Sequence, residues 1–287
     1  MIKSQIKSII SNHHNSGKEK IMQIKRFQKW HLTFKVFPVV LLIIIFKLLA
    51  HQFNLEFISL NPLFSGIVTA NIFLLGFLIA GVLSDYKESE KLPGDLANSI
   101  ETIIDECLII HKNKKAIQAF ECLGHTLEIT NSIINWFHKK ERTRALLDKL
   151  SNFNDFFLSF ESLTQANFIA RLKQEQSAIR RILIRIHAIR ETSFVTSGYA
   201  IAEAIAIILA VGLIFVRIDP FYEALFFVSA ITFLQIYMIL LIKDLDNPFE
   251  YFGGGPDEIS LKPLEDLRLR IEEKIRSTKI ENVSGIF

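Results

Sequence analysis

Residues Ile58 to Ser84 read ISLNPLFSGIVTANIFLLGFLIAGVLS, and no acidic or basic side chain occurs between Glu56 and Asp85. A bilayer's hydrocarbon core is roughly 30 Å thick and is crossed by about 20 helical residues, so this run is long enough to span it with room for tilt. Its interior differs from that of a plain anchor. Asn61, Pro62, Ser65, Thr69 and Asn71 sit among the aliphatics, and Phe73 and Phe77 lie one helical turn apart. That mixture predicts a helix with one side against protein or water and another against lipid.

Three further apolar runs accompany it. The first, FKVFPVVLLIIIFKLLA (34–50), has Trp30 placed as an interface anchor and Lys47 near enough to one end to snorkel. The link HQFNLEF joins it to the run at 58–84 as a hairpin, and a second hairpin, 195–216 and 224–242, is joined by RIDPFYE. Half of the residues are apolar, 25 are Phe, the mean hydropathy is +0.30 and the net charge is only +3. These values fit an all-α integral membrane protein with four transmembrane helices in a 2+2 arrangement around a cytosolic helical domain. The expected divisions are a basic amphipathic N-terminal segment (1–33), a hairpin (34–84), the helical domain (85–194), a second hairpin (195–243) and a C-terminal segment with an amphipathic helix (244–287). The leader has the composition of a helix lying on an anionic membrane surface or of a flexible basic tail.

Orientation follows from the basic residues, which cytoplasmic segments retain. Residues 1–35 hold eight Lys or Arg, the central segment sixteen and the tail from Lys243 seven, against none and one in the short links. Both termini and the middle domain are therefore expected in the cytoplasm of a multi-pass protein of the inner (plasma) membrane. No cleavable signal is read at the N-terminus. No nucleic-acid signature accompanies the basic residues. Cys107 and Cys122 lack metal or redox spacing and read as buried, reduced thiols, and His13 with His14 as solvated tail residues.

In the middle segment, apolar residues recur at helical spacing in four stretches, beginning at Leu96, Ile129, Leu146 and Ile179, with boundaries expected near Asn113, Gly124 and 151–154. The last of these helices is expected to run straight into the third span. Charge is uneven: residues 85–106 hold seven acidic and two basic side chains, residues 171–190 six basic and one acidic. Either the two ends pair with each other, or Arg171, Arg180, Arg181 and Arg185, with Lys173 and Arg190, line a vestibule that concentrates anions. In the third span, Gly198, Ala202, Ala206 and Ala210 make a stripe for close helix packing, beside which Glu203 is an intramembrane acid and a functional candidate. By depth, Lys47 is too far away to be its partner. Past the fourth span, Asp244, Asp246, Glu250 and Asp257 surround a Gly-Gly-Gly-Pro turn and form a candidate oxygen-rich cation site.

The order of spans, together with IFLLGFL (72–78) and DNPFE (246–250), resembles the bestrophin family and its bacterial bestrophin-like relatives. The resemblance implies a pentameric, chloride-permeable channel with Phe73 and Phe77 in a hydrophobic pore constriction and Thr69 one turn further out. A ring of Phe edges suits a weakly hydrated anion and gates by dewetting. It requires no cofactor. Ca2+ is a candidate only at the acidic cluster, where Tyr251, Phe252 and three glycines interrupt the acidic run of the calcium-gated members; separately, Asp85, Tyr86 and Lys87 replace the Arg-Trp-Trp that commonly follows the second span in bestrophins. The expected partners are the lipid bilayer, inorganic anions and further copies of the chain. The alternatives are a membrane-anchored scaffold or sensor whose helical domain binds a protein, and a proton-coupled transporter using Glu203. An enzyme is not indicated, since no nucleophile set, phosphate loop or metal-ligand spacing is present.

Overall fold

The structure, a computed structural model, describes residues 30–192, 196–251 and 258–284. The chain is almost wholly helical: α1 (His31–Gln52), α2 (Pro62–Lys114), α3 (Ile117–Phe137), α4 (Thr143–Ser151), α5 (Phe153–Ser159), α6 (Ala166–Glu191), α7 (Thr196–Phe215), α8 (Phe221–Asp246) and α9 (Lys262–Ser284). A single turn of 3-10 helix, Phe160–Ser162, follows α5, and two short strands, β1 (Ile58–Ser59) and β2 (Val216–Arg217), pair in parallel. Four helices, α1, α2, α7 and α8, are long and apolar enough to cross a membrane. The described residues fall into two compact units. One comprises 30–84 and 196–246, the other 85–192, 247–251 and 258–284. The N-terminal leader, the α6–α7 junction and the glycine turn with Asp257 lie outside the described residues.

In the first unit, α1 packs against α7 and α8 through Val36, Val40, Ile43, Lys47 and Ala50, buried positions recurring every three or four residues. The opposite face of α1 is large and aliphatic, as a lipid-facing surface requires: Leu41, Leu42, Ile45 and Phe46 are exposed. On α7, Ala202 and Ala206 of the small-residue stripe are buried, and Gly212 receives the ring of Phe64 from α2, whose Cε2 lies 2.9 Å from where a Cβ would stand. No side chain fits between these backbones without moving the ring.

Two expectations for the opening stretch need correction. It does not begin as helix at Ile58, because Ile58 and Ser59 pair with Val216 and Arg217, and α2 starts only at Pro62. The start is set by Asn61, whose side-chain oxygen accepts from Phe64 N at 2.9 Å, and by a proline at the first helical position, where its missing N–H is not needed. Nor does the helix stop at Ser84; it continues without interruption to Lys114. Glycine at position 124 breaks nothing either: it lies inside α3, on a side where a Cβ would meet no atom within 4 Å.

Lys47 does not snorkel. Its side chain is fully buried, and its ammonium pairs with Glu56 at 2.6 Å and donates to the backbone carbonyls of Ile214, at 3.3 Å, and Val216. Glu56 in turn bonds His51 Nδ1 at 3.1 Å, and the His51 ring stacks on Phe221 at 3.8 Å. One buried cation thus ties α1, the first link, the end of α7 and the start of α8. Burial pushes the Glu56 carboxyl up, but hydrogen bonds and charge from Lys47 and His51 outweigh it, leaving the group below the usual carboxylate value.

The second unit has one continuous core. Ile103, Ile104 and Cys107 of α2, Ile133 and Phe137 of α3, Phe153 and Phe157 of α5 and Leu183 of α6 all meet in it. Phe249, just past α8, and Leu264, Leu267 and Ile271 of α9 close it. The Asn-Pro-Phe-Glu segment therefore has a packing role: Phe249 lies 5.6 Å from the Phe137 ring, Pro248 O accepts from Ile259 N at 3.1 Å, and Tyr251 donates to Ile259 O at 2.8 Å. Cys107 and Cys122 are free and buried; their mutual hydrogen bond and burial raise the Cys107 thiol far above its ordinary value.

Replacing Lys47 by Met leaves Glu56 without its main partner. The expected loss is about 3–5 kcal/mol, partly recovered in the double variant Lys47→Met/Glu56→Gln, as read by thermal unfolding in detergent. Because the folded Glu56 value is depressed, its contribution is present above the ordinary value of 4.5 and disappears as pH falls through the folded value. Glu56→Gln should flatten that acid limb of the stability profile.

Candidate functional site

At 100° per residue, Pro62, Gly66, Thr69, Ala70, Phe73, Gly76, Phe77, Ala80 and Ser84 of α2 occupy one face about 120° wide. Every one of them is exposed. Phe73 is 78% and Phe77 65% exposed, and beside Gly66 and Gly76 a Cβ would meet no atom within 4 Å. The opposite face carries Asn71, Leu75, Leu78 and Val82, all buried. Along this arc the residues are small or hydroxylated except for two phenylalanines one turn apart, while the exposed aliphatics of α2, Leu63, Ile67, Ile72 and Leu83, stand outside it. Large aliphatics dominate the exposed face of α1, and on α7 Ile201, Ile207, Ile208 and Val211 are likewise exposed. Thr69 turns its hydroxyl back to Ser65 O at 2.9 Å, which satisfies its proton and leaves oxygen lone pairs outward.

The basic residues of α6 lie against the acidic ones of α2. Arg185 donates to both oxygens of Glu88, at 2.9 and 2.7 Å, with Asp85 at 3.7 Å, and the Arg185 hydrogen bond holds the Glu88 carboxyl below its usual value. Arg171 meets Glu106 at 3.1 Å, Arg180 donates to Ser151 Oγ at 3.0 Å, and Arg181 is exposed. Pairing between the two ends of the segment therefore accounts for Arg171 and Arg185 within a single chain. The carboxylates of α2 also hold α9, through Arg270 with Glu101 and Lys274 with Asp105, both at 3.0 Å.

Glu203 is not an isolated carboxylate. It pairs with Lys243 of α8 at 2.5 Å, and both side chains are substantially exposed. Of the acidic residues considered for a cation, Glu250 meets Lys139 at 3.3 Å and Asn247 at 3.4 Å, while Asp257 lies outside the described residues. Among the described residues no group of three or more His, Cys, Asp or Glu is placed to hold a metal ion. Phe73 and Phe77 were singled out by the resemblance and their one-turn spacing; what the sequence reading did not single out was the small-residue composition of their whole face, legible at 3.6-residue spacing as Gly66, Ala70, Gly76 and Ala80. It also missed the covering role of Phe249.

The helices and their order define the bestrophin fold, that of a four-span helical membrane protein. Several solved structures are similar to it. A tyrosine-to-alanine variant of a bacterial bestrophin homolog from Klebsiella pneumoniae matches with a TM-score of 0.71 at 13% identity, over 84% of this chain and 99% of that one. A leucine-to-threonine variant of a homolog from the same organism gives 0.71 at 15% identity, over 85% and 99%. A structure described as a membrane protein gives 0.72 at 13% identity, over 84% and 98%. Neither a family model nor a curated protein matches the sequence.

The two arginine pairs differ in what they shield. Arg185→Met breaks a half-exposed pair and should cost about 0.2–1 kcal/mol. Arg171→Met strips a buried carboxyl of its charged partner and should cost more, about 1–3 kcal/mol. Chemical unfolding of the two variants side by side reads the difference.

Proposed function

We propose that the chain forms an oligomeric anion channel of the chloride type, with the Phe73 and Phe77 face of α2 turned toward a shared axis. The observation that carries this reading is the composition of that face. A lipid-facing helix surface favours large aliphatic side chains, whereas a face that copies of the chain bring together around a narrow lumen favours small ones, interrupted where the lumen constricts. Phe73 and Phe77 supply the interruption. Their ring edges carry the positive part of the aromatic quadrupole, and an apolar ring of them excludes water until an anion with a loose hydration shell enters. Thr69, one turn away, offers oxygen lone pairs to ordered water at the mouth. The likeness to bestrophin homologs supports the same reading, and the family resemblance of the sequence implies a ring of five copies.

Under this proposal the spans cross the inner (plasma) membrane with both termini and the polar unit in the cytoplasm, a placement that the distribution of Lys and Arg favours. Arg180 and Arg181 remain candidates for an anion-concentrating vestibule, while Arg171 and Arg185 act mainly in holding α6 against α2. No metal is needed for the permeation step itself.

Purified protein reconstituted in liposomes should conduct chloride and exclude potassium, and Phe73→Ala with Phe77→Ala should raise the flux by removing the constriction. Ile45→Ala, on the aliphatic face of α1, should leave it unchanged. Protein that elutes as a closed ring yet passes no anion would overturn the reading.

A further inference from the structure

A cavity of about 380 Å³ lies wholly within the second unit, between the last turns of α2 and the segment leading into α6. Its walls are Glu106, Ile110, Asn113 and Lys114 on one side and Gln165 and Phe168 on the other. Two features within it have opposite polarity. The Glu106 side chain is 5% exposed; Oε1 meets Arg171 at 3.1 Å, but Oε2 has no hydrogen-bond partner. A buried acceptor left unmatched is costly, and a donor from a ligand would remove that cost. At the other pole α6, a helix of 26 residues, begins at Ala166, and Gln165 at its N-cap makes no side-chain capping bond, so the positive end of the helix is unshielded there. Lys114 is exposed beside it, with no ion pair among the described residues.

We propose that this cavity binds a small zwitterion of the amino-acid class. The ligand's ammonium donates to Glu106 Oε2, and its carboxylate sits at the start of α6 within reach of Lys114. A simple anion would face the Glu106 carboxyl, and a simple cation would face Lys114 and the helix start; a molecule carrying both charges matches both poles. Ile110, Leu163 and Phe168 give its side chain an apolar wall. A divalent metal fits poorly, because Glu106 is the single carboxylate in the wall and already shares an oxygen with Arg171. The site is independent of the channel reading, since it uses no residue of the Phe73 and Phe77 face.

Isothermal titration of the full-length protein in detergent with each of the free amino acids, at millimolar concentration, tests the proposal. At least one should bind, and its N-acetyl and its amide derivatives, each lacking one charge, should bind about tenfold or more weakly, the ratio expected for a lost charge-assisted bond. Glu106→Gln should weaken binding of the free amino acid to a similar extent, and Lys114→Gln should weaken it while leaving affinity for the amide unchanged. If Glu106→Gln fails to assemble, the exposed Lys114 variant decides. Absence of binding by every free amino acid, equal binding of the N-acetyl derivative, or unchanged affinity in Lys114→Gln would each overturn the proposal.

Discussion

A single buried ammonium sets the arrangement of the apolar helices. Lys47 lies on the packed face of α1, among Val40, Ile43 and Ala50, where an unpaired charge would cost many kcal/mol. It is tolerated because Glu56 and two backbone carbonyls at the end of α7 converge on it. These partners come from two separate stretches of chain, the first link and the end of α7 with β2, so satisfying the charge fixes where α1 and α7 meet the links that follow them. The carbonyls of Ile214 and Val216 stand where α7 gives way to β2, which in turn pairs with β1 and leaves Asn61 and Pro62 to start α2. The register of the Phe73 and Phe77 face is counted from that start.

Electrostatics organise the second unit in a different way. Its pairs are mostly half exposed and individually weak, but they are placed in series along α2: Glu88 with α6, Glu101 and Asp105 with α9, and Glu106 with α6 again. Their contribution is to choose between packings that a helical core of Ile, Leu and Phe would otherwise accept equally. The hydrophobic closure then comes from Phe249 and α9, which lets a segment far along the sequence complete a core begun by α2.

The four spans and the all-helical class were legible because runs of apolar residues of this length have few other solutions. Phe73 and Phe77 stood out by their one-turn spacing and by the resemblance of IFLLGFL to a bestrophin span, not by the small residues of their face. The fate of Lys47 was not legible, since its partners are a residue nine positions away and carbonyls more than 160 positions away, and snorkelling is the local answer when no partner is in view. The continuity of α2 past Ser84 was hidden by the change from apolar to charged composition, which marks a change of surroundings rather than of backbone. For the charge blocks on α2 and α6, sequence offered mutual pairing or an anion-facing surface. Within one chain, both Arg171 and Arg185 find carboxylates at contact distance, the arrangement that mutual pairing expects.

Where Phe64 enters the space over Gly212, two helices share one volume: a ring on one side, bare backbone on the other. Such a contact conserves a sum rather than two identities. Across related chains, positions 64 and 212 are then expected to vary as a pair, a smaller residue at the first permitting alanine or serine at the second, while either change alone is selected against. That pairwise signature would report the closeness of α2 and α7 from sequences alone, at a point where hydropathy carries no information about which helix faces which.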